Sequence, residues 1–287
     1  MRVGLVAQRD NHRAVSLACA IADDLQSAGV TVAIDRTTRE AFEAGAWPDD
    51  AASETPQGID VEDLSGCDLA VSVGGDGTFL FAARGIGSTP IMGVNLGEVG
   101  FLNAVPPGRA VEAVRTEVDD IRETGSASVR PMHRLCAEGD GWGLPPALNE
   151  VVVQGPQRGH GRGLDVAVRV DGSVYTDGHA DGVLVATTTG STAYNLSEGG
   201  PLVHPGVDGL LVTEMCAEAV MPPLVVDTDA TVSVRVENAD RAIAISDGRI
   251  QQSVTPPAEV SLATAETPVN LAGPQLDFFA ALDKLDS

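Results

Sequence analysis

The chain has 287 residues, which is enough for two modest domains or one large one. Its 41 acidic and 18 basic residues give a net charge of −23, and such a surface repels nucleic acids and anionic membranes because both require a basic footprint. The excess of carboxylates and the near-absence of lysine are typical of a protein from a salt-rich cytoplasm, so the charge reports the solvent rather than the substrate.

The first third of the chain alternates apolar, strand-like runs with helix-like segments. Four runs predict strands, at residues 2–7, 30–34, 68–73 and 90–94. Residues 12–28 space apolar side chains as a helix does, with Asn11 at the cap position and Gly29 just past the end. Residues 78–84 predict the first turns of a second helix, whereas the polar residues 36–60 indicate a loop or a weak helix. The βαβ pattern predicts a parallel, Rossmann-like sheet with helices on its faces.

The pattern changes after about residue 105. Residues 106–124 predict one amphipathic helix, with two prolines at its start and Gly125 at its end. Short alternating runs follow, and they predict strands at residues 128–138, 147–154, 164–170, 182–187, 210–216, 230–236, 242–246 and 259–263. Many short strands with turn residues between them are typical of an all-β, sandwich-like domain.

These elements predict two domains. An α/β domain occupies residues 1–105, and a β-rich domain occupies residues 106–272. The tail, residues 273–287, carries apolar side chains at roughly helical spacing. We expect it to dock on the first domain, because an exposed pair of phenylalanines is costly.

The spacing of cysteines and histidines predicts no metal site. The four cysteines are far apart without a Cys-x-x-Cys pair, and the five histidines are scattered. A reducing compartment accounts for such cysteines best. The chain starts on a strand-like run and contains no apolar stretch of membrane-spanning length, so we expect a soluble, cytoplasmic protein.

The first motif with chemical meaning is Gly-Gly-Asp-Gly-Thr at residues 74–78, where a strand enters a turn and a helix leaves it. Glycines permit positive φ angles and a close approach of the backbone to a phosphate. The N–H groups of the turn and of the helix start then face the anion, and Asp76 can orient or deprotonate a hydroxyl or engage a metal ion. The motif is neither a P-loop nor the dinucleotide-binding fingerprint. An ordinary tight turn with a capping aspartate is the alternative.

A second glycine-rich segment, residues 93–102, also follows a strand. Ligands of open parallel sheets bind beyond the carboxyl ends of the strands, so two glycine loops after neighbouring strands bracket one crevice. Asn95 offers an amide to a ligand there, and Phe101 offers a ring. The alternative is a loop shaped only for turning.

Asn149 and Glu150 directly precede a strongly apolar strand. An asparagine amide can read an adenine edge with one donor and one acceptor, and Glu150 can accept a hydrogen bond from a ribose hydroxyl. A polar pair at the turn before a strand explains these two residues equally well.

The longest motif covers residues 181–205. A strand ends in a run of hydroxyl side chains, a glycine and Tyr194, one of only two tyrosines in the chain. A tyrosine on such a turn is a stacking platform for a base. A helix start rich in serine and threonine accounts for Ser191 and Thr192 but not for the whole motif. We expect residues 189–194 to form one pocket together with Asn149 and Glu150.

In this order, the motifs resemble those of the NAD kinase family. The resemblance rests on Gly-Gly-Asp-Gly-Thr, Asn-Leu-Gly-x-x-Gly-Phe-Leu, Asn-Glu, and Asp-Gly followed by Thr-Gly-Ser-Thr-Ala-Tyr and Gly-Gly-Pro-Leu-Val-His-Pro. The motifs span residues 71–205, and the β-rich remainder to about residue 272 also fits. The set is far more specific than any single glycine loop.

The resemblance implies an enzyme that transfers a phosphoryl group from ATP, another triphosphate or polyphosphate to the 2′-hydroxyl of the adenosine ribose of NAD. It also implies Mg²⁺ or another divalent cation carried by the donor phosphates, and a homodimer or homotetramer. Asp76 is implied as the general base or orienting carboxylate. The implied binding residues are Gly75, Gly77 and Thr78 at the phosphates, Asn95 and Phe101 along the NAD crevice, Asn149 and Glu150 at the adenosine and a ribose, Asp181 at the nicotinamide half, and Thr189, Thr192, Ala193 and Tyr194 around the nucleotide.

The sequence departs from the family pattern at two positions. Residues 179–182 read His-Ala-Asp-Gly where the family usually has Arg-Gly-Asp-Gly, and residues 187–191 read Thr-Thr-Thr-Gly-Ser where it usually has Thr-Pro-Thr-Gly-Ser. A protonated His179 would partly replace the missing arginine at the nicotinamide end. A neutral surface histidine is the alternative.

Two other function classes are compatible with part of the sequence. The first is another small-molecule kinase of the same broad fold, since lipid kinases and phosphofructokinases also use Gly-Gly-Asp-Gly loops; the motifs at residues 149–150 and 189–194 argue against it. The second is a non-catalytic NAD(P)-binding sensor, against which Asp76 and the intact glycine loop argue.

Overall fold

The computed structural model describes residues 1–46, 54–97, 100–157, 163–218 and 221–283. The chain forms two units. The first comprises Met1–Met132 and Val269–Ser287, and the second comprises His133–Pro268. The first unit is α/β with a mostly parallel sheet, and the second consists of antiparallel β-sheets. The predicted fold class is therefore confirmed.

The sheet of the first unit has seven strands in the order β3-β2-β1-β4-β5-β19-β6. Its neighbours pair in parallel, except for β19 and β6, which are antiparallel. The strands are β1 (Arg2–Ala7), β2 (Thr31–Asp35), β3 (Gln57–Ile59), β4 (Leu69–Gly74), β5 (Ile91–Asn95), β6 (Val129–Met132) and β19 (Val269–Ala272). Since the carboxyl ends of β4 and β5 lie side by side, the two glycine-rich loops that follow them are neighbours.

Helices cover this sheet, and their ends follow capping rules. They are α1 (His12–Ser27), α2 (Arg36–Ala41), α3 (Asp76–Gly85), α4 (Ala110–Thr124) and α6 (Phe278–Leu282), with a π-helical turn at Phe42–Ala46 and 3₁₀ turns at Val61–Gly66 and Pro107–Arg109. The Asn11 side chain accepts hydrogen bonds from the N–H groups of Arg13 and Ala14, as predicted for a cap. Gly29 and Gly125 adopt left-handed φ angles of 72° and 88° just past α1 and α4.

The second unit contains two six-stranded antiparallel sheets, in the orders β11-β10-β15-β18-β7-β8 and β14-β13-β12-β9-β16-β17. Valine, leucine and alanine side chains from both sheets form one buried cluster. The strands are β7 (Leu135–Gly139), β8 (Trp142–Ala147), β9 (Glu150–Gln154), β10 (Leu164–Val170), β11 (Ser173–Ala180), β12 (Gly182–Thr187), β13 (Leu210–Met215), β14 (Leu224–Val226), β15 (Val232–Glu237), β16 (Ala242–Ser246), β17 (Ile250–Val254) and β18 (Ala258–Thr264). A 3₁₀ turn at Thr189–Thr192 and the short helix α5 (Tyr194–Ser197) follow β12.

The units divide at other positions than the predicted boundaries at residues 105 and 272. Helix α4 belongs to the first unit because it packs against α1, where Arg115 pairs with Asp24 at 3.0 Å. Strand β6 belongs there because it pairs with β19, which returns from the second unit. The predicted strand at residues 128–138 is therefore two strands, one in each unit. Within residues 36–60, the described part forms α2, the π-helical turn and β3 rather than a loop.

In the tail, α6 lies in the first unit, and its Phe278 is buried. The Phe278 ring centre is 5.9 Å from that of Phe101. The tail thus packs beside the second glycine-rich loop; its last four residues lie outside the described part. Among the helices described, none has the length and apolar character required to cross a membrane.

The acidic surface predicts that folding depends on salt. We expect the melting temperature to rise steadily from low to molar KCl, because repulsion among carboxylates at a net charge of −23 is screened as the Debye length falls to about 3 Å at 1 M salt. Thermal denaturation followed by circular dichroism measures this directly. A series with a neutral osmolyte at matched water activity is the control, and a flat KCl curve would contradict the salt-adaptation interpretation.

Candidate active site

The Gly-Gly-Asp-Gly-Thr motif joins β4 to α3. Gly75 is the N-cap of the helix at φ −95° and ψ −176°, and Asp76 is its first residue. The cap therefore has extended rather than left-handed backbone. Gly74 is closely packed by the protein's own side chains, since a Cβ there would lie 2.5 Å from Thr78 Oγ1 and 2.9 Å from Gln8 Cβ. The close approach of the glycines to a phosphate stays a prediction. The Thr78 N–H donates to the Gly75 carbonyl at 3.0 Å. The N–H groups of Asp76 and Gly77 come before it, at the helix start, where a helix supplies no acceptor of its own and an anion can bind.

The Asp76 carboxylate is half-buried and ties the first glycine-rich loop to the second. It accepts hydrogen bonds from the Phe101 N–H at 3.1 Å, the Leu102 N–H at 3.3 Å and the Asn103 side-chain amide at 2.8 Å. Burial raises the pKa of the Asp76 carboxyl above its ordinary value, while these three donors act against that rise. Asp76 is thus both fixed in place and shifted towards the proton affinity that a base requires.

Asn95 and Phe101, predicted on the second loop, lie close to Asp76. A Cβ on Gly100 would be 3.0 Å from Asp76 Oδ1 and 3.3 Å from Asn95 Nδ2, so both side chains approach the same glycine. Asn95 Oδ1 accepts from the Gly97 N–H at 2.8 Å. The half-buried Phe101 ring packs against Phe278. Glu98 and Val99, within the same motif, lie outside the described residues.

In the second unit, a buried aspartate fixes the backbone at Asn149 and Glu150. The Asp247 carboxylate accepts from the N–H groups of Leu148 at 3.0 Å, Asn149 at 2.8 Å and Glu150 at 3.4 Å. Its own N–H donates to the Glu150 carbonyl at 3.0 Å. The sequence suggested only a turn at Asp247 and Gly248, and the sole signal of a further role was an Asp-Gly pair directly after a strand.

The Glu150 carboxyl is buried in a site that favours its neutral form. Burial, followed by the negative charge of Asp247, raises the pKa of Glu150 to about 7, and the backbone N–H of Tyr194 opposes the rise. Glu150 Oε2 is buried, and no hydrogen-bond partner for it lies among the residues that the structure describes. Such a group lacks a bond that a ligand can supply.

The residues after β12 pack directly on Asn149. The Thr187 hydroxyl donates to the Leu148 carbonyl at 2.6 Å and accepts from the Gly190 N–H at 3.2 Å. A Cβ on Gly190 would lie 2.1 Å from the Asn149 carbonyl oxygen, so only glycine fits there. The structure therefore brings the Thr189–Thr192 turn and the pair at residues 149–150 together, within one unit.

Side chains of this turn divide into two groups. Ser191 is fully buried and donates to the Val203 carbonyl at 3.0 Å, while the buried Asn195 accepts from Thr213 at 2.9 Å, so both support the turn. Tyr194 is half-buried and packs with Val203 and Ile245 against an apolar cluster. Thr189, Thr192 and Ala193 are also half-buried.

His179 and Asp181 flank the passage from β11 to β12. His179 Nδ1 lies 2.8 Å from Asp165 Oδ1, and Asn238 donates to the other Asp165 oxygen. The Asn238 amide and then His179 lower the pKa of the Asp165 carboxyl. Asp181 is buried, and its N–H donates to the Met215 carbonyl at 2.9 Å. His179 thus has a carboxylate partner of its own, which the sequence did not suggest.

Metal ligation by side chains finds no support in this arrangement. Over the part of the chain that the structure describes, no three His, Cys, Asp or Glu residues are grouped so that they could hold a metal ion. A cation carried by substrate phosphates requires no such group.

Comparison with known proteins identifies the family. The model described as "ATP-NAD kinase N-terminal domain" matches residues 3–121, and the one described as "ATP-NAD kinase C-terminal domain" matches residues 148–273. The NAD kinase of Haloarcula marismortui is 58% identical over 287 residues, covering 99% of this chain and all of that protein. The NAD kinase of Halobacterium salinarum is 56% identical, with both chains covered completely. The crystal structure of an NAD kinase from Archaeoglobus fulgidus in complex with ATP is 27% identical, with a TM-score of 0.74 over 99% of each chain. The chain therefore belongs to the NAD kinase family.

Proposed function

We propose that this NAD kinase transfers the γ-phosphoryl group of ATP to the 2′-hydroxyl of the adenosine ribose of NAD. The ribose oxygen forms the new bond to phosphorus, the bond from phosphorus to the β–γ bridging oxygen breaks, and NADP and ADP leave. The observation that carries the proposal is the Asp76 carboxylate, which three donors fix at the start of α3 inside a glycine-rich turn.

Asp76 supplies the acid–base part of this reaction. A carboxylate with two oxygens has lone pairs beyond those used by Phe101, Leu102 and Asn103, so it can also accept a hydrogen bond from the 2′-hydroxyl. Its raised pKa makes it a better acceptor for the proton that the hydroxyl loses. Fixing the oxygen in line with the phosphorus contributes further, because phosphoryl transfer depends mainly on alignment and neutralisation of charge.

The phosphates would lie against the backbone of Gly75, Gly77 and Thr78. The only lysine is Lys284, outside the motif, so N–H groups and a cation must balance the negative charge. Asp76 and the phosphates are oxygen donors, which suit Mg²⁺. When bound through the triphosphate, Mg²⁺ supplies charge neutralisation at the transferred group. Polyphosphate presents the same terminal group and is the second donor to test.

Asn95 and Phe101, on the loop after β5, are proposed as residues that contact NAD. Asn149 suits the adenine edge, and Glu150, whose buried Oε2 has no hydrogen-bond partner among the described residues, suits a ribose hydroxyl. The turn residues Thr189, Thr192, Ala193 and Tyr194 would surround the nucleotide, with Asp181 and His179 at the nicotinamide half.

We further propose that the protein is a homodimer or homotetramer in the cytoplasm. Light scattering in molar KCl would measure the size of the oligomer.

The direct test is NADP formation by the purified protein in molar KCl with NAD, ATP and Mg²⁺. An NADP-specific dehydrogenase detects the product, and equimolar ADP shows transfer from ATP. Parallel reactions omit Mg²⁺, replace ATP with polyphosphate, or replace NAD with NADH. A folded protein that binds NAD without turnover would indicate a sensor, and ADP formation only with a different acceptor would indicate another kinase.

Replacing Tyr194 with alanine tests the nucleotide pocket. Stacking of a base on an aromatic ring contributes roughly 1–3 kcal/mol, so we expect the Kd for NAD to rise about tenfold or more. Activity at saturating NAD should suffer less, because the ring would bind ground and transition states alike. Since Tyr194 also packs against the buried apolar cluster that contains Leu184 and Leu211, the melting temperature should fall too. Tyr194→Phe is the matched control, and an unchanged Kd in folded Tyr194→Ala would remove the ring from the site.

A further inference from the structure

Asp247 is a buried carboxylate that the motifs above do not include. It follows β16 in a turn with Gly248, and both residues have positive φ angles, of 45° and 63°. The two residues lie in the short loop of residues 247–249 that connects β16 to β17, whose last pair is Ser246 and Ile250. Most such aspartates face water, yet the side chain of Asp247 is turned inwards and is only 9% exposed. This burial must be balanced by strong contacts, because a desolvated charge is costly.

Three hydrogen bonds join the Asp247 carboxylate to the start of β9. Three consecutive N–H groups, of Leu148, Asn149 and Glu150, point at the Asp247 carboxylate at 3.0, 2.8 and 3.4 Å. The Asp247 N–H closes the arrangement on the Glu150 carbonyl at 3.0 Å. Hydrogen bonds to a charged acceptor are roughly twice as strong as neutral ones. One side chain therefore sets the backbone from which Asn149 and Glu150 project.

The same carboxylate also places a negative charge near Glu150. On β12, the residue opposite Glu150 is Ala186, which is uncharged. On β16, Ser246 is opposite Val151, and Asp247 comes next. From α5, Tyr194 contributes its backbone N–H. Removal of the Asp247 charge should therefore lower the pKa of Glu150 from about 7 towards its ordinary value.

We propose that Asp247 is a positioning residue for NAD, which holds the backbone of Asn149 and Glu150 in place and delays the ionisation of Glu150. The inference rests on the proposed function, in which Glu150 accepts a hydrogen bond from a ribose hydroxyl. An ionised Glu150 accepts more strongly than a neutral one, so the affinity for NAD rises as the pH increases through about 7. Asp247 acts through Glu150 and Asn149 and does not itself touch the reacting atoms.

The test compares Asp247→Asn with Asp171→Asn. Asp171 is the matched control because it also precedes a glycine in a hairpin loop at positive φ, of 49°, but it is exposed and accepts its backbone N–H from Thr231, at 2.9 Å, rather than from β9. At pH 8.5, well above the wild-type pKa, we expect Asp247→Asn to raise the KM for NAD about tenfold, the equivalent of one lost charge-assisted hydrogen bond, with a much smaller change in kcat. Asp171→Asn should leave both constants unchanged.

The pH dependence separates positioning from a general loss of stability. In the wild type, the KM for NAD should fall with an inflection near pH 7, and in Asp247→Asn the inflection should move to lower pH. In a Glu150→Gln background, the inflection should be absent and Asp247→Asn should leave the profile flat. A merely structural role would change KM at every pH without moving the inflection, and that result would overturn the proposal.

A measurement independent of activity keeps the inference distinct from the proposed function. The ¹³C carboxyl signal of Glu150, assigned with Glu150→Gln, reports its titration in protein without substrate. We expect a lower midpoint in Asp247→Asn and an unchanged midpoint in Asp171→Asn. An unchanged midpoint and KM in folded Asp247→Asn would refute the inference even where the wild type forms NADP. A wild type that forms no NADP refutes the proposed function, while the titration still tests the effect of Asp247 on Glu150.

Discussion

Replacement of Asp76 by asparagine is expected to reduce kcat about 10²-fold or more while the Kd for NAD changes little. General acid–base catalysis by a positioned side chain contributes roughly 10²–10⁴-fold, and asparagine cannot accept the proton. The group acts at the reacting hydroxyl, so its loss should appear in turnover rather than in binding. Single-turnover kinetics with saturating NAD and ATP, together with calorimetric titration of NAD, measure the two quantities.

The three hydrogen bonds at Asp76 require a control, because the side chain also anchors the second loop. In Asp76→Asn, one carboxylate oxygen becomes an NH₂ group that cannot accept, so the variant loses either the bond from the Phe101 N–H to Oδ2 or the bonds from the Leu102 N–H and the Asn103 amide to Oδ1. Asn103→Ser weakens the same anchor from the other side, since Asn103 donates to Asp76 Oδ1 at 2.8 Å, and it leaves the carboxylate intact. If anchoring alone mattered, both variants would lose similar activity.

The dependence of kcat on pH distinguishes catalysis by Asp76 from anchoring of the loop, because anchoring alone would not produce a dependence on the ionisation of Asp76. In the wild type, kcat should fall as the pH drops through the raised pKa of Asp76, because the protonated acid cannot act as a base. In Asp76→Asn, the residual rate should lack this limb. A kcat near the wild-type value in the variant would remove Asp76 from the catalytic role.

Sequence signals that lie within a few residues of one another predicted most of the helices and strands. The cap at Asn11 and the left-handed glycines Gly29 and Gly125 depend on neighbours within a few residues, so the sequence alone was enough to find them. By contrast, β3, β8, β11, β14 and β17 escaped prediction, and each of them is an edge strand of its sheet. An edge strand is often short or polar and shows little apolar alternation, as the segment Ile-Gln-Gln-Ser-Val of β17 illustrates.

Long-range pairing explains what else the sequence could not predict. Strand β19 has four residues and lies between β5 and β6, although the whole second unit separates it from β5 in the chain. The division at residues 132 and 268 depends on this return, so no composition change marks it. The boundary at residue 105 was predicted from the change from a βαβ pattern to short alternating strands. Helix α4 and strand β6 follow that change in the chain but still belong to the first unit.

The candidate site shows the same contrast. Glycine-rich turns and hydroxyl runs are contiguous, so the motifs gave Asp76 and the turn at Thr189–Thr192 directly. Asp247 is 97 residues from Glu150, and His179 meets Asp165 across two paired strands. These contacts exist only after the sheets form, and an Asp-Gly pair or a single histidine gives no sign of them.

Gly190→Ala is expected to weaken NAD binding through a single methyl group. The added Cβ would lie 2.1 Å from the Asn149 carbonyl oxygen, 2.6 Å from its carbon and 2.9 Å from the Asn149 Cα. All three are backbone atoms, and they cannot rotate away as a flexible side chain would. The backbone there is held further by the Asp247 carboxylate and by the Thr187 hydroxyl. The turn, rather than the strand, must therefore move.

Displacement of the turn carries Thr189, Thr192 and Tyr194 away from Glu150. Overpacking of this kind costs typically 1–3 kcal/mol, which corresponds to roughly a fivefold to hundredfold rise in the Kd for NAD, with a lower melting temperature. Gly143→Ala is the control, because the nearest atoms to its added Cβ are 3.8 Å and 3.9 Å away, in ordinary contact. Calorimetric titration of NAD and thermal denaturation of both variants distinguish the outcomes. A folded Gly190→Ala protein with wild-type affinity would show that the turn does not contribute to the NAD site, whereas a matching loss in Gly143→Ala would point to a general effect of alanine in this unit.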